Sequence, residues 1–429
     1  MFAKREKVSA LVKDTPVPRM FRARQIFKNN SIPPEQIPQL VREGMRTEKT
    51  GGKIKPGQNI AIAVGSRGIC NQVAIVKTVV DCVKERGAHP FLVPGMGCHG
   101  GATAEGQREV LAALGFTEAS MGCPIRCTME TVMAGRNPDG KEVFLDKYAA
   151  QADGIILSCR VKPHTAFRGK YESGILKMMA IGLAKQKGAE RTHDEGVGNL
   201  AKNVYQNGMT ILKNYPVLFA VAVVENAYDQ TCILNVVPAE EIEETEPRML
   251  EQAFANMPGL LPGSCDVLVV DRVGKNISGE GMDPNITGRF ILPEYASGGV
   301  DAQKVAILGL TPQTHGNCHG ICNADVVSQQ VVNEADFEAF YINSITSTVL
   351  TLARVPMIMA NHKECIQVCI RSLVGTDKAH PRVIRIPDTL HLEYILLSEA
   401  YYEEVRDRSD MEIESEPFEL DFDENGNLF

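Results

Sequence analysis

Two α/β domains with mainly parallel sheets, and an active-site cleft between them, are what this sequence predicts. Three observations carry that expectation. From about residue 57, short apolar runs alternate with segments of helical period, and the runs lead into loops that open the next helix. A Pro/Gly-dense stretch, "NMPGLLPGSCD" at 256–266, then divides the 429 residues into two such series. The expected domains are 1–262 and 263–429, with the tail after about 390 packing back on the first.

The elements follow in order. "NIAIAV" (59–64) reads as a strand that runs into the loop "GSRG". "NQVAIVKTVVDCVKERG" sets Val73, Val76, Val80 and Val83 at helical spacing and stops at Gly87. "PFLVP" is the next strand, followed by the loop "GMGCHGGATAEG" (95–106). "TAEGQREVLAALG" opens with Thr103 as N-cap and ends at Gly115. "GIILSCRV" (154–161) and "PVLFAVAVV" (216–224) continue the series, and "CDVLVVDRVG", "KVAILGLT" and "PRVIRIPD" are the β runs beyond the boundary. In such a sheet, ligands bind outside the carboxyl ends of the strands.

Composition excludes several classes of function. With 44% hydrophobic and 23% charged residues the chain is an ordinary globular one. Its longest apolar runs fall well short of the roughly 20 residues of a membrane helix. "MFAKREKVSALVKD" is charged and lacks the apolar core of a signal peptide, so a cytoplasmic location is expected. A net charge of −8 with no Lys/Arg stripe argues against nucleic acid. The acidic tail "EIESEPFELDFDEN" reads as a solvated end, and the 12 cysteines as reduced thiols rather than a disulfide scaffold.

Gly95, Gly97 and Gly100 satisfy G-x-G-x-x-G, a dinucleotide fingerprint that needs an acid about 20 residues on, at a strand end. The stretch "GFTEASMG" offers Glu118 without a convincing strand, so the loop reads better as one that exposes His99. Arg67 lies just past a strand end, where a guanidinium grips a carboxylate through two parallel hydrogen bonds; the plain alternative is an exposed loop arginine. The densest stretch is "VKPHTAFRGKYESGILKMMAIGLAKQKGAERTH" (161–193). Within it Ser173 and Gly174 precede Lys177, whose flanks "GIL" and "MMAIGL" are apolar. Desolvation there favours a neutral, nucleophilic amine, against the alternative of a snorkelling surface lysine. "HGNCHGIC" (315–322) holds His315, Cys318, His319 and Cys322, yet one octapeptide does not easily wrap a zinc tetrahedron. A tight turn before a helix starting near Ala324 is expected instead, with Cys123/Cys127 and Cys365/Cys369 as buried thiols.

Together these residues resemble the nickel-dependent lactate racemase family. Four places match: the strand-end arginine loop at Arg67, the "G-x-H" loop at His99, the "P-H" pair at Pro163–His164, and a lysine followed 16 residues later by a histidine, Lys177 and His193. The resemblance implies a first domain that binds a nickel-pincer nucleotide (pyridinium-3,5-bisthiocarboxylic acid mononucleotide nickel), joined covalently to Lys177 beside Ser173 and Gly174. It implies His193 as nickel ligand, since Ni(II) with sulfur donors and an imidazole suits a square-planar site. It also implies His99 and His164 as the acid–base pair on opposite faces and Arg67 as carboxylate clamp. Lys275, in "GKNISGEGMDPNITGR", would be the substrate lysine of the second domain.

The implied reaction inverts C2 of a 2-hydroxy acid by reversible hydride transfer, which avoids a carbanion beside a carboxylate. The implied partners are that small molecule and, transiently, cofactor-synthesis enzymes, with neither nucleic acid nor membrane. Three departures bear on the substrate. "AVGSRG" lacks the acid of the family loop, the His164–Lys177 segment is longer and adds Arg168, Lys170 and Glu172, and the chain has no tryptophan. A polar 2-hydroxy acid, with Arg168 as a further contact, is therefore expected; the alternative is that the added cations face solvent. The competing readings are an NAD-type oxidoreductase of hydroxy acids and a non-catalytic nucleotide- or metal-binding protein.

Overall fold

The computed structural model describes residues 5–346 and 349–429. The chain divides into two compact units, Lys28–Met257 and a second made of the segment up to Phe27 with Pro258–Phe429. Strand β1 (Met20–Gln25) belongs to the second unit. The first unit holds β2 (Asn59–Val64), β3 (His89–Pro94), β4 (Thr131–Arg136), β5 (Glu142–Asp146), β6 (Gly154–Arg160), β7 (Val217–Glu225) and β8 (Thr231–Pro238).

Its five-stranded sheet runs β3-β2-β6-β7-β8, with the first four strands parallel and β8 returning antiparallel. Strands β4 and β5 pair as a separate antiparallel ribbon. The two-residue alternation of β2 feeds both faces. Ile60, Ile62 and Val64 enter the core shared with the helix Gln72–Glu85, through Ile75, Val76, Val79, Val80 and Val83. Ala61 and Ala63 enter the opposite core, which contains Leu176, Met179, Leu183 and Val204. Val73, expected on the buried stripe, lies in the first turn of its helix and is exposed. The helix after the glycine loop, Ala104–Ala113, is capped as expected: the Thr103 side chain accepts the Gly106 N–H at 3.0 Å.

The second unit adds β9 (Ser264–Val273), β10 (Asp301–Leu310), β11 (Val326–Ser328), β12 (Met357–Met359), β13 (Val383–Ile386), β14 (Tyr394–Ser398) and β15 (Met411–Ile413). The sheet order is β12-β11-β10-β9-β13-β14-β1-β15, parallel from β12 to β13 and antiparallel thereafter.

Three expectations are corrected here. The first unit begins at Lys28 rather than at the N-terminus, because β1 inserts between β14 and β15 of the other sheet. The tail after about 390 belongs to the second unit, where β14 pairs β13 and β1. After "HGNCHGIC" the chain enters β11 before the helix Gln329–Glu334 begins. Among the described residues, no helix is long and apolar enough to cross a membrane.

Candidate active site

Parallel register sets the carboxyl ends of β3, β2 and β6 side by side, with Val64 opposite both Pro94 and Ser158. Three loops therefore emerge together: 65–71, 95–103 and 161–174. The first two are tied by a short hydrogen bond between Ser66 Oγ and His99 Nδ1. The glycines of the middle loop have local duties. Gly97, at φ +59°, donates its N–H to the Gly182 carbonyl at 2.9 Å. Gly100, at φ +69°, approaches the next helix so closely that a Cβ would stand 2.5 Å from the Gly106 carbonyl carbon. Glu118, the only acid near the spacing of a ribose ligand, begins the four-residue helix Glu118–Met121 and accepts the Ile125 N–H at 3.0 Å. These glycines answer to turn geometry and close packing.

Arg67 reaches the surface, yet the strand ends around it desolvate its charge; that burial, and then the like charge of Arg160, push its pKa down. Among the described residues, Arg67 enters no ion pair. Its loop is anchored from the next strands. Glu225 accepts the Cys70 N–H at 2.6 Å through one oxygen and pairs with Arg160 through the other, while Thr231 Oγ donates to the Cys70 carbonyl at 2.9 Å. A guanidinium without a protein counter-ion, on an anchored loop, suits an anion arriving from solution.

The 161–174 loop is closed by a two-bond bridge between the Lys162 and Ser173 backbones, at 2.9 and 3.2 Å. Inside it the buried Glu172 accepts N–H groups from His164 (2.6 Å) and Gly169 (3.1 Å). Burial raises the Glu172 pKa against those bonds and the charges of Arg168 and Lys177. Arg168, expected to face a substrate, turns back onto this loop: Nη1 donates to the His164 carbonyl at 2.8 Å, and the guanidinium lies over Phe254. Glu172 and Phe254 give it a partner and a platform inside the protein. Lys170 is exposed, beside the Tyr171 ring.

The His164 ring lies against Phe167, tilted by 31° with ring centroids 4.3 Å apart, and its Nδ1 accepts the Ala166 N–H at 3.0 Å. Burial first, then the charges of Lys177 and His193, hold its pKa well below the ordinary imidazole value. The neutral ring therefore carries its proton on Nε2.

Gly174 leads into the short helix Ile175–Lys177, and a Cβ there would stand 2.2 Å from Glu246 Oε1 and displace that carboxylate. Glu246 is buried, accepts the Leu176 N–H at 3.0 Å, and is pushed up to about 7 by burial. Lys177 ends this turn, and a π-helical turn, Met178–Leu183, follows it. Insertions of that kind recur at functional sites. The next helix, Lys185–His193, ends on His193, whose Nδ1–H donates to the Ala189 carbonyl at 2.6 Å. Burial lowers the His193 pKa, offset in part by that carbonyl, and Lys177 lowers it further. A neutral imidazole with Nδ1–H committed to a carbonyl presents its Nε2 lone pair, the arrangement of a metal-ligating histidine.

The structure thus brings Lys177, His164 and His193 within electrostatic reach of one another. His99 joins the neighbouring loop that carries Arg67, through Ser66. Ser173 and Gly174 shape the turn before Lys177. Lys275 belongs to the other unit, just past β9, where its Nζ donates to the Gly279 carbonyl at 2.7 Å. In "HGNCHGIC", His319 Nε2 stands 3.2 Å from Glu280 Oε2, and burial pushes the thiols of Cys318 and Cys322 up to about 12. Among the described residues, no group of three or more His, Cys, Asp or Glu side chains is placed to hold a metal by itself. Sequence reasoning missed Ser66, Glu246, Lys185 and its partners, and the π-helical turn. Only the run "GILKMMAIGL", too apolar for a surface turn, hinted at the last.

Fold and site define an α/β protein that gathers a lysine, two half-buried imidazoles and an arginine that enters no ion pair among the described residues, at the carboxyl ends of parallel strands. The chain belongs to the family described as "Domain of unknown function (DUF362)", which matches residues 54–276, just over half of its length. No curated protein matches it. Among solved structures it is similar to the lactate racemase apoprotein from Thermoanaerobacterium thermosaccharolyticum. The TM-score is 0.50 at 14% identity, over 86% of this chain and 99% of that one. That likeness is one of fold.

Proposed function

We propose that the protein is an isomerase, a racemase or epimerase that inverts C2 of a polar 2-hydroxy acid on a nickel-pincer nucleotide held by Lys177 and His193. The observation that carries this reading is His193, whose bond to the Ala189 carbonyl at 2.6 Å turns Nε2 into a donor lone pair beside Lys177. One imidazole is too little for a protein-only metal site, but it suffices when a chelating organic group brings the remaining donors. Such a group, when bound, supplies the acceptor for the C2 hydrogen with its electron pair.

The chain's own residues do the rest. Arg67, which enters no ion pair among the described residues, fixes the substrate carboxylate. His99, donating from Nδ1 to Ser66 Oγ, takes the hydroxyl proton at Nε2 and returns it once the planar 2-keto acid has turned its opposite face toward the returning hydrogen. His164 plays a different part from the one the family resemblance implies. Its Nδ1 is occupied by the Ala166 N–H, so its Nε2–H donates to the C2 oxygen and steadies the charge there. The site has one base and one donor rather than two equal bases. Arg168 acts by holding the His164 carbonyl, so the polar substrate rests on Arg67, the neighbouring Arg160 and the absence of tryptophan. Lys275 stays a proposed substrate residue on the resemblance alone.

The test is a panel of single-enantiomer 2-hydroxy acids deuterated at C2, incubated with nickel-loaded protein. Inversion of a polar acid with the deuterium retained is expected, because the C2 hydrogen never resides on a side chain that exchanges with water. Washout of the label during inversion, or inversion of none of the acids, contradicts the proposal.

A further inference from the structure

Lys185 breaks two rules of sequence at once. It is fully buried, and it holds a non-glycine backbone at φ +57° as the first residue of the helix that ends on His193, just past the π-helical turn. Glycine or asparagine adopts that backbone more readily, and an apolar side chain would fill the space without burying a charge. Residues that carry such strain and charge together mark positions where geometry matters more than stability.

Its ammonium shows what is gained. Nζ donates to the Pro94 carbonyl at the end of β3 (2.6 Å) and to Gln107 Oε1 on the helix Ala104–Ala113 (3.0 Å). The Gln107 amide passes the connection on, donating to the carbonyls of Gly97 (2.8 Å) and His99 (3.3 Å). The counter-charge is Asp146, equally buried, with Oδ2 3.0 Å from Nζ though not aligned as a hydrogen bond. Its other oxygen caps the helix Lys147–Ala150 through the Ala149 N–H at 2.9 Å. The Gly97 N–H meets the Gly182 carbonyl from the opposite side. The loop that carries His99 is thus held against the Lys177–His193 segment at both its entry and its middle.

We propose that Lys185, acting through Gln107 and neutralised by Asp146, is a positioning residue that fixes the His99 loop relative to the segment bearing Lys177 and His193. Only the catalytic arm of the test depends on the isomerase reading above.

Lys185→Met alone would strand a buried carboxylate and unfold the protein for a trivial reason, so the informative variants are Lys185→Met/Asp146→Leu and Gln107→Leu. Replacing a buried pair by apolar groups of similar size is often neutral for stability. Amide hydrogen exchange of the protein without cofactor reads the loop directly. In both variants, exchange of residues 97–102 should rise on the order of tenfold over wild type while 186–193 and the global thermal midpoint stay near wild type. In nickel-loaded protein kcat should fall roughly a hundredfold with KM little moved, as for a misplaced catalytic group. If wild-type protein inverts no hydroxy acid, the isomerase reading fails and the exchange result still decides the role of Lys185. Unchanged exchange in 97–102 in folded Gln107→Leu, or exchange that rises equally throughout the unit, overturns the proposal.

Discussion

Replacing His193 with alanine should strip nickel from protein prepared with its cofactor and abolish C2 inversion. The effect should exceed the roughly 10–100-fold loss that follows removal of an outer-sphere partner, because here the ligand itself is lost. The ring is already oriented for this: with Nδ1–H fixed on the Ala189 carbonyl, no rotation is needed to present Nε2. His315→Ala and His319→Ala are the controls. His319 already points Nε2 at Glu280, and both histidines lie in the other unit, so metal content should not change. Elemental analysis of the three purified variants decides the matter. Nickel retained in His193→Ala and lost from a variant of "HGNCHGIC" would place the metal elsewhere.

The second large effect separates His99 from His164. A glutamine at 99 removes the base, and kcat should fall by roughly 10²–10⁴, the usual range for losing positioned proton transfer. A glutamine at 164 still offers an N–H to the C2 oxygen, so the loss there should be about tenfold, the scale of one weakened hydrogen bond. The difference follows from one contact, the Ala166 N–H on His164 Nδ1 at 3.0 Å. Steady-state kinetics of both variants on the preferred acid measures it. Equal losses would restore the picture of two interchangeable bases.

The strands were legible because β2, β3, β6, β7, β9, β10 and β13 are apolar runs set between helical periods, a local signal. The partner of β1 was not. "MFRARQ" pairs with residues near 395 and 412, and no local pattern announces a contact across that distance. Lys177 stood out through its apolar flanks, and His193 only through the resemblance to the lactate racemase family. Lys185 did not, because "AKQKG" reads as an exposed helix start, and its burial depends on Pro94, Gln107 and Asp146, all distant in sequence. Glu246 hid likewise in the acidic run "EIEETEPRMLEQ", where only the tertiary fold selects which carboxylate turns inward. Arg168 shows the complementary difficulty. Charge in a long loop suggests solvent or substrate, and nothing local showed that Glu172 and Phe254 would draw it in.

Whether Lys177 carries the cofactor is decided by peptide-resolved mass analysis. Protein produced alongside the cofactor-synthesis enzymes, and shown to contain nickel, is digested and its lysine peptides are weighed. An added mass confined to the peptide that contains Lys177, and absent from Lys177→Ala, is expected. An unmodified Lys177 in nickel-containing protein that inverts a hydroxy acid would contradict it.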